Sequence, residues 1–334
     1  MRVAVLGAGS WGTTLAILLH LNGHEVTLYE FYKDYAKKLI KTRVNDLYLP
    51  EAVIPKEIVI THSLDDACIN KNMIVLAIPT QFLRGILSKM KKYDFHDTTF
   101  VSVAKGIEKG TLLTVAEIIK DELPHVTDDY IGAISGPSHA EEVCKKLPTA
   151  VVAASSSIAT AEEIQATFIT SYFRVYSCTD IKGVELGGAL KNVIAIAAGI
   201  ADGANFGDNT KAAIMTRGIA EISRLGLELG ASRQTFAGLS GMGDLIVTCM
   251  SKHSRNRYVG EQIGKGKKLK EVLQSMKMVA EGVETCRSVH ELSAKLHVET
   301  PIANAVYRVL FDEKDPVKAT YDLMARDIRP EKEF

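Results

Sequence analysis

The chain has 334 residues, which is enough for two domains, because single hydrophobic cores stop growing at roughly 250 to 300 residues. Its 40 basic and 40 acidic residues balance, so we expect no general attraction to nucleic acids or anionic membranes, and a local cluster must hold any bound anion. The 46% hydrophobic and 24% charged fractions exclude a disordered or fibrous protein.

The sequence predicts a cytoplasmic protein without an integral membrane segment. Met1 is followed at once by the strand-like RVAVLG, with no export signal visible, and the apolar run 193–201 is much shorter than the roughly 20 residues that span a bilayer. The cysteines are odd in number and contain no C-x-x-C pair, which favours reduced thiols over disulfides or a metal site. They are Cys68, Cys144, Cys178, Cys249 and Cys286.

Short β-branched runs alternate with helical intervals over the first half of the chain, and this alternation predicts a parallel sheet covered on both faces. The runs are RVAVLG, HEVTLY, EIVIT, MIVLAI, TFVSVA, YIGAIS, TAVVAA and YFRVYS. Beyond about Thr179 the pattern is helical. We therefore predict an α/β protein in which an N-terminal Rossmann-like domain, residues 1–181, precedes an all-α substrate-binding and catalytic domain, residues 182–334.

The segment VAVLGAGSWGTTLAILL contains G-x-G-x-x-G between a strand and a helix. Gly7 allows the tight turn, Gly9 lets the backbone approach a pyrophosphate, and Gly12 permits close packing of helix and strand. The phosphates would then lie against the N–H groups at the start of the helix. This context predicts a dinucleotide site.

Glu30 ends the second predicted strand, where an acidic side chain can accept hydrogen bonds from an adenosine ribose. A carboxylate there would repel a 2′-phosphate, so NAD is favoured over NADP as the cofactor. Lys33 lies close by, and an ordinary solvated glutamate is the alternative interpretation.

Two strand ends in the first half carry candidate ligand-binding residues, since ligands of open α/β sheets bind at the carboxyl ends of the strands. Lys105 follows a strand in SVAKGIE, although a lysine there is equally typical of a solvated strand end. Gly136 and Ser138 follow another strand in ISGPSHAEEV, and Ser138 with Glu141 fits a helix capping box.

The helical half adds two polar clusters. Asp244 ends the glycine-rich loop GLSGMGD and, taken alone, is more typical of a helix N-cap than of a catalytic group. In SKHSRNRY, Ser254 is a predicted N-cap, and the first turn that follows holds Arg255 and Asn256. A cation there opposes the helix dipole unless an anion is bound, so a phosphate is expected. His253 is interpreted as structural rather than metal-binding.

Lys191 is the one charged residue in LGGALKNVIAIAAG, which otherwise has the pattern of a buried helix. Burying an unpaired ammonium costs several kcal/mol, so such a lysine extends to the surface, is paired, or is functional. In a partly desolvated cleft near a second cation such as Lys105, its pKa would fall toward the range of an acid/base group.

Successive segments of the chain resemble the bacterial-type NAD(P)-dependent glycerol-3-phosphate dehydrogenases, in order and over nearly its whole length. They include GAGSWGTTLA, SVAKGIE, ISGPSHAEEV, VELGGALKNVIAIAAGIADG, TFAGLSGMGDLIVTC, SRNRYVG and VAEGVET. The resemblance implies reversible, metal-independent reduction of dihydroxyacetone phosphate to sn-glycerol 3-phosphate for glycerophospholipid synthesis. It further implies a homodimer and an acid/base role for Lys191.

The resemblance also implies which residues bind the two ligands. Substrate would be held by Lys105, Gly136, Ser138, Lys191, Asp244, Ser254, Arg255 and Asn256. Besides the motif glycines and Glu30, cofactor would be held by Ser10, Trp11, Phe31, Lys105, Ala140, Arg255, Val279 and Glu281.

The chain departs from the family pattern at two places. His139 stands where the family usually has phenylalanine, and Glu30, Phe31 and Tyr32 stand where NADP-dependent members commonly carry basic residues.

Two alternatives stay open at this level. The chain could be a related dehydrogenase for a 3-hydroxy acid or ketopantoate, but such carboxylate substrates do not require the SRNRY cluster. It could also be a non-catalytic NAD-sensing module, which has no need for Lys105, Lys191 and Asp244 together.

Overall fold

A computed structural model describes residues 1–328, 330 and 331. The chain divides into two compact units, Met1–Ala104 with Leu113–Ile181, and Lys105–Leu112 with Lys182–Phe334. Residues 105–112 differ from the predicted division, because they group with the second unit, whose hydrophobic core includes Ile107. The predicted second domain runs to residue 334, and its residues 329 and 332–334 lie outside the described residues.

The first unit is built on an eight-stranded sheet, to which every predicted strand contributes. The strands are β1 (Arg2–Leu6), β2 (Glu25–Tyr29), β5 (Val59–Thr61), β6 (Met73–Leu76), β7 (Thr99–Ser102), β8 (Ile131–Ser135), β9 (Thr149–Ser155) and β10 (Phe173–Cys178). Their spatial order is β10-β9-β8-β7-β6-β1-β2-β5. The remaining strands, β3 (Val44–Asn45) and β4 (Leu49–Val53), form a separate antiparallel hairpin that the sequence did not predict.

The sheet is parallel except where β8 pairs with β9, and there the prediction of a parallel sheet is wrong. The connection between these strands contains only α6 (Ala140–Val143), a single helical turn. A parallel crossover usually requires a longer helix. All residues of β8 are buried, and such a continuous buried run does not reveal the direction of a strand.

Each face of the sheet carries its own hydrophobic core. Successive side chains of β1 point to opposite faces, so Val3 and Val5 join one core while Ala4 and Leu6 join the other. The helices that cover the sheet are α1 (Ser10–Leu21), α2 (Lys33–Thr42), α3 (Leu64–Cys68), α4 (Thr80–Met90), α5 (Val115–Glu122), α6 and α7 (Ile158–Phe168), with a 3-10 turn at Asp128–Tyr130.

In the described part of the second unit every regular element is helical, which confirms the predicted fold class. A π-helix, Leu239–Gly243, lies between the tenth and eleventh α-helices. The α-helices are α8 (Ile181–Gly203), α9 (Gly207–Glu228), α10 (Arg233–Ala237), α11 (Asp244–Met250), α12 (Arg255–Gly264), α13 (Leu269–Ser275), α14 (Glu281–Leu296), α15 (Pro301–Phe311) and α16 (Pro316–Met324).

The longest helix, α8, has 23 residues and is longer than the apolar run counted from the sequence. By length and composition alone it could cross a membrane. However, its apolar window is wholly buried inside the protein, as in the core helix of a globular domain.

Helices α8 and α12 touch through glycines spaced one turn apart on each helix. A Cβ added to Gly199 would lie 2.0 Å from the carbonyl oxygen of Arg257, and one added to Gly260 would lie 2.0 Å from that of Ile196. Gly203 and Gly264 repeat the pattern a turn later. Because no side chain separates the helices here, main-chain contact fixes the position of the first turn of α12 against α8.

Candidate active site

The glycine motif forms a tight turn between β1 and α1. Gly7 has φ +110°, and a Cβ there would lie 2.6 Å from the carbonyl oxygen of Ala77. Gly12 packs against the same turn, since its Cβ would lie 1.9 Å from the Gly7 oxygen. Gly9, a residue without a side chain, stands at the N-cap of α1, and a Cβ there would meet no described atom within 4 Å. This open turn at a helix N-terminus fits a dinucleotide pyrophosphate.

Three further predicted cofactor residues surround the start of α1. Ser10 begins the helix, and its carbonyl oxygen accepts a 2.9 Å hydrogen bond from the hydroxyl of Thr14. The same hydroxyl lies 3.4 Å from the carbonyl oxygen of Ala140, which brings α6 beside α1. The ring of Trp11 lies 6.3 Å from that of Phe173.

Glu30 is buried, and its carboxylate is turned toward its own main chain. Its Oε1 accepts a 2.9 Å hydrogen bond from the N–H of Tyr32. Burial raises the pKa of Glu30, and main-chain N–H groups partly oppose this rise. Phe31 is exposed, with the Nζ of Lys89 5.2 Å from its ring centroid. A carboxylate can accept several hydrogen bonds, so this placement leaves the preference for NAD a prediction.

The loop after β8 differs from its predicted capping box. Helix α6 begins at Ala140, and its N-cap is His139 rather than Ser138. The Ser138 hydroxyl instead donates to the carbonyl oxygen of Gly136, 3.1 Å away. Gly136 has φ +143°, and a Cβ there would lie 2.9 Å from Cα of Val151, so glycine is required in this turn.

Two lysines share one carboxylate in the second unit. Nζ of Lys191 lies 2.9 Å from Oδ1 of Asp244, and Nζ of Lys105 lies 2.6 Å from Oδ2. Lys191 is 5% exposed and Asp244 is 1% exposed, so their ion pair is shielded from water. The structure therefore brings together three of the predicted site residues, which are far apart in the sequence.

Asp244 does not act as the N-cap that its position alone suggested. The π-helix Leu239–Gly243 runs directly into α11, so Asp244 is the first residue of that helix and Gly243 stands at the N-cap. The aspartate side chain is thereby available to the two lysines. A Cβ at Gly187 would lie 2.8 Å from the carbonyl oxygen of Ser240, so α8 packs tightly against the π-helix.

Thr248 completes this cluster, although it was not among the residues predicted from the sequence. Its hydroxyl accepts a 2.6 Å hydrogen bond from Nζ of Lys191 and donates to Oδ1 of Asp244 over 3.2 Å. The signal was present, because Thr248 follows Asp244 by one turn of the same helix and both side chains therefore lie on one face.

The charges of the cluster perturb its protonation. The pKa of Lys191 is lowered to about 8, chiefly by burial; the Asp244 carboxylate opposes this shift, and the Lys105 ammonium adds to it. For Asp244, burial alone raises the pKa, but the two ammonium groups outweigh burial and hold that pKa below its usual value. At neutral pH Asp244 is thus ionised, and Lys191 is close to the range in which it can both give and take a proton.

Main-chain contacts hold Lys105 in place. Its carbonyl oxygen accepts a 3.0 Å hydrogen bond from the side-chain amide of Asn192, the residue that follows Lys191 on α8. Its N–H donates to Oε2 of Glu281 over 3.3 Å. Glu281, a predicted cofactor residue, therefore contacts the predicted substrate residue Lys105. Asn192, like Thr248, was not among the residues predicted from the sequence.

Ser254, Arg255 and Asn256 lie at the start of α12, and the predicted N-cap at Ser254 is confirmed. The Ser254 hydroxyl accepts a 3.2 Å hydrogen bond from the N–H of Arg257. Oδ1 of Asn256 accepts the N–H of Gly282 over 2.9 Å, which ties α12 to the start of α14. Arg255 is exposed and donates to the carbonyl oxygen of Val279, 2.8 Å away. The cap is therefore observed, and a bound phosphate remains a prediction.

Cys249 and His253, four positions apart, face different environments. Cys249 is buried and burial raises the pKa of its thiol to about 12, whereas His253 is exposed. Within residues 1–328, 330 and 331, no group of three or more His, Cys, Asp or Glu side chains is arranged to hold a metal ion.

Known proteins resemble this chain over its whole length. Residues 2–161 match the N-terminal family model of NAD-dependent glycerol-3-phosphate dehydrogenase, and residues 180–321 match the C-terminal one. A relative from Pelodictyon phaeoclathratiforme, named glycerol-3-phosphate dehydrogenase (NAD(P)+), is 52% identical over 333 residues, covering 100% of both chains. A second, from Chlorobium luteolum and of the same name, is 50% identical over 333 residues with the same coverage.

A solved structure gives the same result. The crystal structure of glycerol-3-phosphate dehydrogenase from Coxiella burnetii is 36% identical, with a TM-score of 0.93 over 97% of this chain and 99% of that one. Neither alternative left open by the sequence, a hydroxy-acid dehydrogenase or a non-catalytic module, accounts for these full-length matches. The chain therefore belongs to the NAD-dependent glycerol-3-phosphate dehydrogenase family and is an NAD(P)-dependent oxidoreductase.

Proposed function

We propose that the chain interconverts dihydroxyacetone phosphate and sn-glycerol 3-phosphate, with Lys191 as the acid/base. The observation that carries this proposal is the placement of Lys191, a buried ammonium that binds Asp244 and Thr248 and has a pKa of about 8. A side chain with a pKa near neutrality is suited to exchange protons with substrate in both directions.

When bound, the nicotinamide supplies or accepts the hydride. As the ketone at C2 is reduced, negative charge develops on its oxygen, and the Lys191 ammonium stabilises that charge and donates the proton. In the reverse direction, neutral Lys191 removes the hydroxyl proton. Burial disfavours the protonated form of Lys191, the Asp244 carboxylate favours it, and the Lys105 ammonium disfavours it, so these effects together set the pKa near 8.

The first turn of α12 is the proposed phosphate site. Its N–H groups, the exposed guanidinium of Arg255 and the polar side chains of Ser254 and Asn256 supply donors, and the helix dipole favours an anion there. The substrate gains binding energy at its phosphate group, and this energy holds its C2 atom, which lies away from the phosphate, in place for the chemical step. Gly136 and Ser138 remain predicted substrate contacts from the family resemblance.

The cofactor is proposed to bind the glycine turn at Gly7, Gly9 and Gly12, with NAD preferred over NADP because of Glu30. The open space at Gly9 and the start of α1 beside it support this assignment. The family resemblance supports two further proposals: a homodimer and a cytoplasmic role in glycerophospholipid synthesis. The domain bounds 1–181 and 182–334 rest on the sequence pattern, with residues 105–112 grouping with the second unit.

The direct test is Lys191→Met, which keeps most of the side-chain volume and removes the exchangeable proton. We expect turnover with dihydroxyacetone phosphate to fall by at least about a hundredfold, the usual contribution of a general acid/base. NADH binding is followed through the fluorescence of Trp11, the single tryptophan, which lies in the proposed cofactor turn. The affinity of Lys191→Met for NADH should equal that of the wild type.

A matched control is Lys182→Met, a lysine on the same helix but nine positions before the site. This variant should keep wild-type turnover. Near-normal turnover of Lys191→Met would contradict the acid/base assignment, and turnover of ketopantoate in place of dihydroxyacetone phosphate would contradict the proposed substrate.

A further inference from the structure

Asn45 is fully buried beside the glycine turn, although it belongs to a different element, strand β3 of the hairpin. Its side-chain nitrogen donates to the carbonyl oxygen of Ala8 over 2.8 Å and to the hydroxyl oxygen of Thr13 over 2.7 Å. Ala8 lies between the first two motif glycines, and Thr13 is in the first turn of α1. One amide therefore joins the two halves of the turn.

Main-chain partners fix the orientation of this amide. A carbonyl oxygen such as that of Ala8 can only accept, so it must face the NH₂ group of Asn45. On the other side, Oδ1 of Asn45 accepts the N–H of Tyr48 over 3.3 Å, and an N–H can only donate. The two contacts agree, so nitrogen and oxygen cannot be exchanged.

A third contact holds the amide from α2. The Tyr35 hydroxyl donates to Oδ1 of Asn45 over 2.6 Å. Burial raises the pKa of Tyr35 to about 12, so the phenol keeps its proton at neutral pH and remains a donor. Both polar ends of Asn45 are thus satisfied, as a buried amide requires.

The contact with Ala8 has a consequence for the peptide that links Ala8 to Gly9. The described chain contains no cis peptide bond, so the carbonyl oxygen of Ala8 and the N–H of Gly9 point in opposite directions from one plane. Holding the oxygen toward Asn45 therefore turns the Gly9 N–H away from the hairpin. An added Cβ at Gly9 meets no described atom within 4 Å, so there is room for a ligand at this residue.

We propose that Asn45 is a positioning residue for the dinucleotide site: its amide orients the Ala8–Gly9 peptide and the first turn of α1, so that the β3–β4 hairpin contributes to cofactor affinity. This inference rests on the proposed cofactor turn. In this role Asn45 acts on the cofactor site through its contacts with Ala8 and Thr13.

The test variant is Asn45→Asp, which keeps the shape of the side chain and replaces the donating NH₂ with an oxygen that repels the Ala8 oxygen. We expect the Kd for NADH, measured by Trp11 fluorescence, to rise about tenfold or more, because a buried acceptor loses its donor. The KM for dihydroxyacetone phosphate, and kcat at saturating NADH, should change by less than about twofold.

The matched control is Asp46→Asn, at the adjacent position of the hairpin, which removes the exposed ion pair of Asp46 with Lys38 and leaves the amide of Asn45 in place. Its Kd should equal that of the wild type. Should Asn45→Asp fail to fold, the isosteric variant Thr13→Val decides the question, since it removes one of the two contacts and should weaken NADH binding about threefold.

An unchanged Kd in folded Asn45→Asp overturns the proposal, as does a lower thermal midpoint with an unchanged Kd, which is the result that a merely structural role gives. Gly9→Val separates this failure from failure of the cofactor site itself. If Gly9→Val abolishes NADH binding and Asn45→Asp does not weaken it, only the positioning role is refuted. If neither variant weakens binding, the proposed cofactor turn is refuted too.

Discussion

The carboxylate of Asp244 lies between two ammonium groups, with Lys191 2.9 Å from one of its oxygens and Lys105 2.6 Å from the other. Two cations and one anion leave the cluster with an excess positive charge when all three groups are ionised. Asp244 therefore makes burial of Lys191 tolerable without cancelling the positive field that an oxyanion would meet.

The reaction should depend on pH through Lys191. Reduction needs the protonated amine, so kcat/KM for dihydroxyacetone phosphate should be constant below the pKa of about 8 and fall as the pH rises through it. Oxidation of glycerol 3-phosphate needs the neutral amine and should rise over the same range. Profiles measured between about pH 7 and about pH 10 that show no break in either direction would contradict this assignment.

Asp244→Asn should lower the apparent pKa of the reduction profile. Burial and Lys105 both lower the pKa of Lys191, and the Asp244 charge opposes them. Without that charge the ammonium form of Lys191 becomes less stable. We expect kcat at neutral pH to fall by about a hundredfold or more, the size of a lost electrostatic contact in a buried site. Activity should recover in part at lower pH, and an apparent pKa that rises instead would exclude this role of Asp244.

Thr248→Val tests the hydroxyl that contacts both Lys191 and Asp244. Valine matches the shape of threonine but offers no acceptor to the Lys191 ammonium, which in the wild type donates to the Thr248 hydroxyl over 2.6 Å. We expect a loss of about tenfold in kcat. Thr248→Ser, which retains the hydroxyl, is the control and should lie closer to the wild type. A loss in Thr248→Ser with none in Thr248→Val would assign the effect to packing instead.

Alanine substitution should have opposite effects at a glycine in the contact between α8 and α12 and at an exposed glycine outside it. Gly199→Ala places a methyl group 2.0 Å from the carbonyl oxygen of Arg257, so we expect destabilisation by about 3 kcal/mol or more. Gly85→Ala, in the exposed interior of α4, meets no described atom within 4 Å and should stabilise by about 1 kcal/mol. Denaturant unfolding of both variants checks the signs.

Glu221 on α9 should make stability depend on pH. It is buried and accepts the N–H groups of Ile302 and Ala303 at the start of α15 over 2.7 and 3.2 Å. Burial raises its pKa from 4.5 to about 7. The folded state therefore retains a proton that the unfolded state releases between these values, and stability falls as the pH rises across this window, by up to about 3 kcal/mol.

Glu221→Gln cannot ionise, so the variant should lack that fall. The quantity to measure is the difference in unfolding free energy between wild type and variant, because other titrating groups then cancel. A difference that stays constant from about pH 4.5 to about pH 7 would contradict the pKa of Glu221.

Local patterns in the sequence predicted the elements well, because apolar runs and glycine spacing reflect local geometry. They could not pair Lys191 with Asp244, which lies 53 positions away, because periodicity along one helix carries no information about its partner. The antiparallel pairing of β8 with β9 was missed for a similar reason, since the continuous buried run of β8 does not show in which direction the strand pairs.

Two errors concern single side chains. Ser138 and Asp244 both fit the composition of a helix cap, yet Ser138 donates to Gly136 and Asp244 follows a π-helix that needs no such cap. In both cases the start of the helix differs by one residue from the pattern, and a cap depends on that single position. Tertiary contacts, rather than composition, decided where these side chains point.

The glycine contact between α8 and α12 also limits how this protein can vary. The separation of the two helices is set by main-chain atoms, so there is no series of gradually larger side chains through which natural selection or an engineer could adjust it. The proposed phosphate site can vary by exchange of the side chains of Ser254, Arg255 or Asn256. The distance between that turn and α8, the helix that bears Lys191, cannot be changed in small steps, because any added side chain disrupts the contact. We therefore expect variants that prefer longer or shorter substrates to carry exchanged side chains in the first turn of α12 and to keep the glycines that join α8 and α12.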